Sequence, residues 1–89
     1  MSKAKWQPLL LKVQDVLFRE WDPLSVNANE LCRDEYDSYA IALVHLLQAG
    51  ADEYKIAARL SLLQRADMGL AVADEEANRR VARKLLSLI

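Results

Sequence analysis

An all-α fold, a compact four-helix domain, is what this sequence predicts, on three observations. Apolar residues recur at helical spacing in four separate segments. Proline, glycine and aspartate stand at the segment boundaries, where helix stops and starts need them. No segment alternates apolar and polar residues over a useful length, as a half-buried strand would. The length, 89 residues, predicts a single domain over 1–89. A chain this short buries only about 60–65% of its unfolded surface, so the core is expected to be small. At 53% hydrophobic and 28% charged, with 2 Gly and 2 Pro, the composition excludes disorder and low-complexity sequence.

The first helix is expected over 8–21. Leu10, Val13, Leu17 and Trp21 share one face, with Leu9 and Val16 beside them. Pro8 suits the first helical position, where an amide has no partner in any case, and Trp6 would staple onto Leu11. Asp22-Pro23 ends the helix, because a residue before proline is pushed out of the α region. The connection from Pro23 to Arg33 carries Leu24, Val26 and Leu31, which predicts a loop folded back to tuck all three.

The second helix is expected over 34–49, with Asp34, Glu35 and Asp37 in its first turn, where the helix dipole favours negative charge. Tyr36, Ala40, Leu43 and Leu47 form its core stripe, widened by Tyr39, Val44 and Leu46. Ile41 and Ala42 leave so little polar surface that this reads as the central helix. Gly50 fits the left-handed position after its end. Asp52 caps a third helix, 52–66, whose narrower stripe is Ile56, Leu60 and Leu63; Tyr54 and Leu62 fall away from it. Gly69 offers the closing turn. Asp74 caps a fourth, 74–88, with Ala77, Val81, Leu85 and Leu88 inward and Glu75–Arg79 and Glu76–Arg80 as i, i+4 pairs.

Few residues carry a chemical signature. His45, the single histidine, lies about 180° from the core stripe of its helix and has no orienting partner, so it reads as a surface histidine. Cys32 is the one cysteine, which excludes an internal disulfide; the acids that follow oppose a thiolate, so it reads as packed under the loop. Asp22, Asp34 and Asp37 offer oxygens to a hard cation, yet no calcium-loop spacing surrounds them, and capping accounts for them equally. Arg79, Arg80, Arg83 and Lys84 cover an arc of about 140° and read as a solvated face. No cofactor motif and no metal-ligand spacing stands out. Twelve basic against thirteen acidic side chains give a net charge of −1, which leaves no footprint for nucleic acid.

No secretory leader is expected, because the apolar run after Trp6 meets Lys12 and Asp15. The longest near-apolar run, 39–47, is about half a membrane span, so no membrane partner is expected. A cytoplasmic location follows, and a lone thiol agrees with a reducing compartment.

The combination Trp21-Asp22-Pro23-Leu24, Asp34-Glu35-Tyr36-Asp37-Ser38-Tyr39, Leu46-Leu47, Gly50 and Met68-Gly69-Leu70 resembles the YugE-like family of small bacterial helical proteins. That family shares a W-D-P turn, a D-E-Y-D-x-Y opening of the second helix and an M-G-L after the third. The resemblance spans roughly residues 6–88, with its motifs between 21 and 70. It implies a bundled or orthogonal four-helix protein with no established activity.

The function expected is therefore contact rather than catalysis: a non-enzymatic module binding another protein, a basic one among the candidates, or itself. The candidate partner-binding residues are Asp22, Leu24, Asp34, Glu35 and Asp37 at the first loop and Tyr54 and Leu62 on the third helix. Two alternatives stand beside it: an immunity- or antitoxin-type inhibitor of a toxin, and a cation-dependent activity at Asp22, Asp34 and Asp37.

Overall fold

The computed structural model describes the backbone from Ser2 to Ile89 and the side chains from Pro8 onward. Four α-helices follow one another: α1 Ser2–Val16, α2 Asp37–Gln48, α3 Glu53–Leu62 and α4 Glu75–Leu86. Two of them continue into a wider π turn, Leu17–Trp21 after α1 and Leu63–Asp67 after α3. A short 3-10 turn, Glu30–Cys32, lies in the long connection. Among the described residues all regular structure is helical, and no helix is long and apolar enough to cross a membrane.

The caps explain the starts of α3 and α4. Asp52 accepts from the amide of Lys55 at 2.9 Å, and Asp74 from that of Ala77 at 3.0 Å. Each satisfies one of the amides that a helix start leaves without a partner. Between α2 and α3 the chain turns in four residues. Gly50 takes φ +82°, the amide of Ala51 reaches the carbonyl of Leu46, and that of Gly50 the carbonyl of Leu47.

Three boundaries differ from expectation. Helix α1 begins at Ser2, so Pro8 lies inside it rather than at its first position. The preceding Lys3, Ala4, Lys5 and Gln7 are good helix formers and extend the helix over Pro8. The Trp6–Leu11 staple falls outside the described side chains; Leu11 itself is exposed. Helix α2 begins at Asp37, three residues late. Asp34 and Glu35 stand in successive i→i+3 turns, because the amides of Arg33, Glu35 and Asp37 bond to Glu30, Cys32 and Asp34. At its other end, α4 stops at Leu86, with Ser87 as C-cap.

The core gathers Val13, Val16, Leu17 and Trp21 from the first helix, Tyr36, Ala40, Leu43, Val44 and Leu47 around α2, Ile56, Leu60 and Leu63 from the third, and Val81, Ala82 and Leu85 from α4. Phe18, off the apolar face read from the sequence, is also fully buried, beneath the guanidinium groups of Arg19 and Arg33. Helix α2 packs on α1 and α3, while α4 packs chiefly on α3. Ile41 and His45 are exposed, so α2 is flanked rather than surrounded.

A polar network runs through this core. Asn78, buried on α4, accepts from Trp21 Nε1 at 2.9 Å and donates to Gln64 Oε1 at 2.7 Å and Ser61 Oγ at 3.0 Å. Ser61 donates in turn to Glu75, whose other oxygen meets Arg65 at 3.1 Å. Glu75 therefore turns towards α3 rather than pairing with Arg79. Glu76 and Arg80 form no ion pair among the described residues either. No buried side-chain polar atom among the described residues lacks a partner, which is the condition for such a network to be tolerated.

Candidate functional site

The seven residues singled out from the sequence fall on two separate surfaces. The first is the end of the molecule where the 22–36 connection meets α2. Asp22 builds it, from an unusual backbone conformation for a non-glycine residue, φ 33° and ψ 58°. One carboxylate oxygen accepts from the amide of Val26 at 2.8 Å and from Tyr36 Oη at 2.7 Å; the other accepts from the amide of Asn27 at 3.0 Å. Tyr36 Oη also accepts from the amide of Leu24 at 3.0 Å. Burial, donation to Asp22 and the charges of Asp22 and Glu35 push the Tyr36 hydroxyl well above its ordinary pKa, against the lowering effect of the Leu24 amide. It is therefore a protonated structural donor at neutral pH, and Asp22 is a loop anchor rather than part of an open acidic rim.

Motif residues meet here. The Trp21 ring stands edge-on to Tyr36 at 5.4 Å and to Tyr39 at 6.5 Å. With the Asp22–Tyr36 bond, this brings the W-D-P turn and the D-E-Y-D-x-Y segment into direct contact.

The connection does not tuck all its apolar residues. Val26 packs against the core, whereas Leu24 is 39% exposed and Leu31 90% exposed. Leu31 sits in the 3-10 turn, whose start Asn29 caps by accepting from the amide of Leu31 itself at 3.0 Å. Turn geometry directs this side chain outward, a feature invisible to a reading that assigns loop leucines to the core. Around it the charge is mixed. Arg33 is held by Asp15 at 3.1 Å and Glu30 at 3.4 Å, while Asp34 and Glu35 are exposed and make no ion pair among the described residues.

Asp37 is half-buried. Its carboxyl is raised above the ordinary aspartate range by burial first and by Asp34 next, with Arg33 opposing. Leu11, Gln14, Asp15, Arg33, Asp34 and Asp37 line a groove of about 440 Å³ here. Among the described residues no three His, Cys, Asp or Glu side chains are placed to hold a metal ion. The sequence grouped Asp22, Asp34 and Asp37 as an acidic cluster, but the Asp22 oxygens are already committed to its own loop.

The second surface lies on α3. Tyr54 is 69% and Leu62 52% exposed, in line with their position off the buried stripe. Leu62 lines a groove of about 300 Å³ with Leu46, Lys55, Ala58 and Arg59. His45 is exposed and Cys32 half-buried, and neither has a hydrogen-bonding side-chain partner among the described residues. Comparison with known family models, curated proteins and solved structures finds no match for this chain.

Proposed function

We propose that the chain is a non-enzymatic, cytoplasmic protein-binding module that acts through the Leu31 turn and the acids beside it. The observation that carries this reading is a leucine 90% exposed in a capped turn, next to carboxylates with no ion pair among the described residues. Single surface leucines are ordinary. This one is held outward by a turn that an asparagine caps and by a connection anchored on Asp22 and Tyr36. A partner with an apolar pocket and basic rim would suit it, the charges guiding approach and the leucine supplying desolvated contact.

Two further readings rest on the same residues. The meeting of Trp21-Asp22 with Tyr36 and Tyr39 supports placing the chain among YugE-like bacterial proteins, because it gives their shared motifs a common physical task. An inhibitor of a basic toxin would use the same acidic, leucine-bearing surface.

The test is capture by tagged chain from a lysate of the source cell. Leu31→Asp and Glu35→Lys are each expected to release a partner that the wild type retains, with unchanged melting temperature. Equal retention by both folded variants would refute this surface.

A further inference from the structure

We propose that the α2–α3 groove receives the Leu31 turn of a second copy of this chain, so that molecules associate head to tail. The inference rests on the reading of the Leu31 turn as a contact surface and names its partner. Leu46, Ala58 and Leu62 give the groove an apolar lining, and Lys55 and Arg59 add two cations. These cations lie four residues apart on α3, about 6 Å along its axis. Neither meets a carboxylate within ion-pair distance among the described residues, unlike Arg19, Arg33, Arg65, Arg83 and Lys84.

The complement is the other surface. Leu31 projects into solvent, and Asp34 and Glu35 follow it by three and four residues, also without ion pairs among the described residues. One exposed leucine followed by two acids matches one apolar groove with two bases. A net charge of −1 offers little overall repulsion between copies.

The two surfaces do not meet within one molecule: among the described residues no ion pair joins Asp34 or Glu35 to Lys55 or Arg59, and the two grooves share no lining residue. Asp37, at the loop end of α2, and Leu46, in the groove, are nine residues apart on that helix. That spacing is about 13.5 Å along the axis and half a turn around it. A patch that fits a different patch makes a heterologous contact, which propagates instead of closing at a symmetric dimer. The contact is small, so it is expected at high protein concentration.

Sedimentation equilibrium of the full chain from about 10 μM to about 1 mM covers the weak range. The mean mass is expected to rise steadily without levelling at two chains. Leu31→Asp removes the projecting residue and Leu62→Asp disables the groove. Both positions are exposed, and circular dichroism melting verifies that both variants fold. Each variant alone is expected to remain monomeric. Mixed in equal amounts, they are expected to form a one-to-one dimer that grows no further, since each keeps the surface the other lacks.

A wild-type chain that stays monomeric over this range overturns the proposal, as does a mixture that stays monomeric. Association of Leu31→Asp at wild-type strength also overturns it, because the grooves would then be meeting each other. If the chain is monomeric but Leu31→Asp still releases a different captured protein, self-association fails while the reading of the Leu31 turn as a contact surface stands.

Discussion

Helices α1 and α3 end in the same way and are secured differently. Both widen into a π turn whose closing amide bonds five residues back, Asp22 to Leu17 at 2.9 Å and Met68 to Leu63 at 3.0 Å. At both ends the chain then leaves through a left-handed residue, Asp22 at φ 33° and Gly69 at φ 69°. Glycine adopts that conformation without a steric penalty, so the second end needs only its own residue. Asp22 carries a Cβ and relies on three hydrogen bonds that its carboxylate accepts, one of them from Tyr36, fourteen residues along the chain. In backbone angle, one end is a local property. The other depends on the whole connection and the start of α2.

The strongest probe acts where the ends meet, at Asn78. It holds Trp21 from the first π turn and Gln64 from the second. Asn78→Leu strands the Trp21 N–H and deprives Gln64 of its donor, and is expected to lose about 3–4 kcal/mol of stability in urea unfolding. A loss near zero would show that the ends are held by packing alone.

Asp22→Ala comes next, at about 2–3 kcal/mol, from three lost hydrogen bonds and an unfavourable backbone angle. Asp22→Gly separates the two causes, since it relieves the backbone but not the bonds, and should recover about 1 kcal/mol of that loss. If Asp22→Gly matched the wild type, the two ends would be equivalent and the contrast would fail.

Gly69→Ala is expected to cost about 1 kcal/mol, as is Gly50→Ala. Open space surrounds the added Cβ at both glycines, so the cost measures backbone conformation without a clash. A neutral result at Gly69 would mean that the second end shifts to another conformation when challenged.

The smallest effect concerns Asp37. Its carboxyl pKa is raised in the fold, so the native state binds a proton more readily than the unfolded chain. Stability contributed by this group therefore falls as pH rises from the ordinary aspartate range through the raised value. Urea midpoints measured across that range should show the wild type losing stability relative to Asp37→Asn as pH rises. An unchanged slope would place the responsible titration elsewhere.

Helix identity was legible because helical spacing and the Asp52 and Asp74 caps report the same segments independently. The π turns were not. Helical spacing already turns Leu17 and Trp21 inward, whereas Phe18, in the same wider turn, is buried although 100° steps place it off that face. The start of α2 was misplaced because Asp34 and Glu35 resemble a first helical turn, whereas the backbone there follows shorter turns that carry Tyr36 to Asp22.

Of the candidate surfaces, Tyr54 and Leu62 followed directly from lying off a buried stripe. Leu31 did not, since its direction depends on the Asn29 cap and a 3-10 turn rather than on periodicity. The task of Asp22 was hidden for a related reason: its Tyr36 partner becomes a neighbour only once the connection has folded.

The Asp22 carboxylate also sets how the connection opens. The amides of Val26 and Asn27 and the Tyr36 hydroxyl share one acceptor group, so releasing that group frees all three. In hydrogen exchange, the Val26 and Asn27 amides should therefore become labile together, with the free energy of one opening event. A connection that opens as a unit is a strut rather than a tether. Much of the conformational entropy of residues 22–27 is then lost during folding, and a molecule docking against the neighbouring turn has correspondingly less ordering left to do.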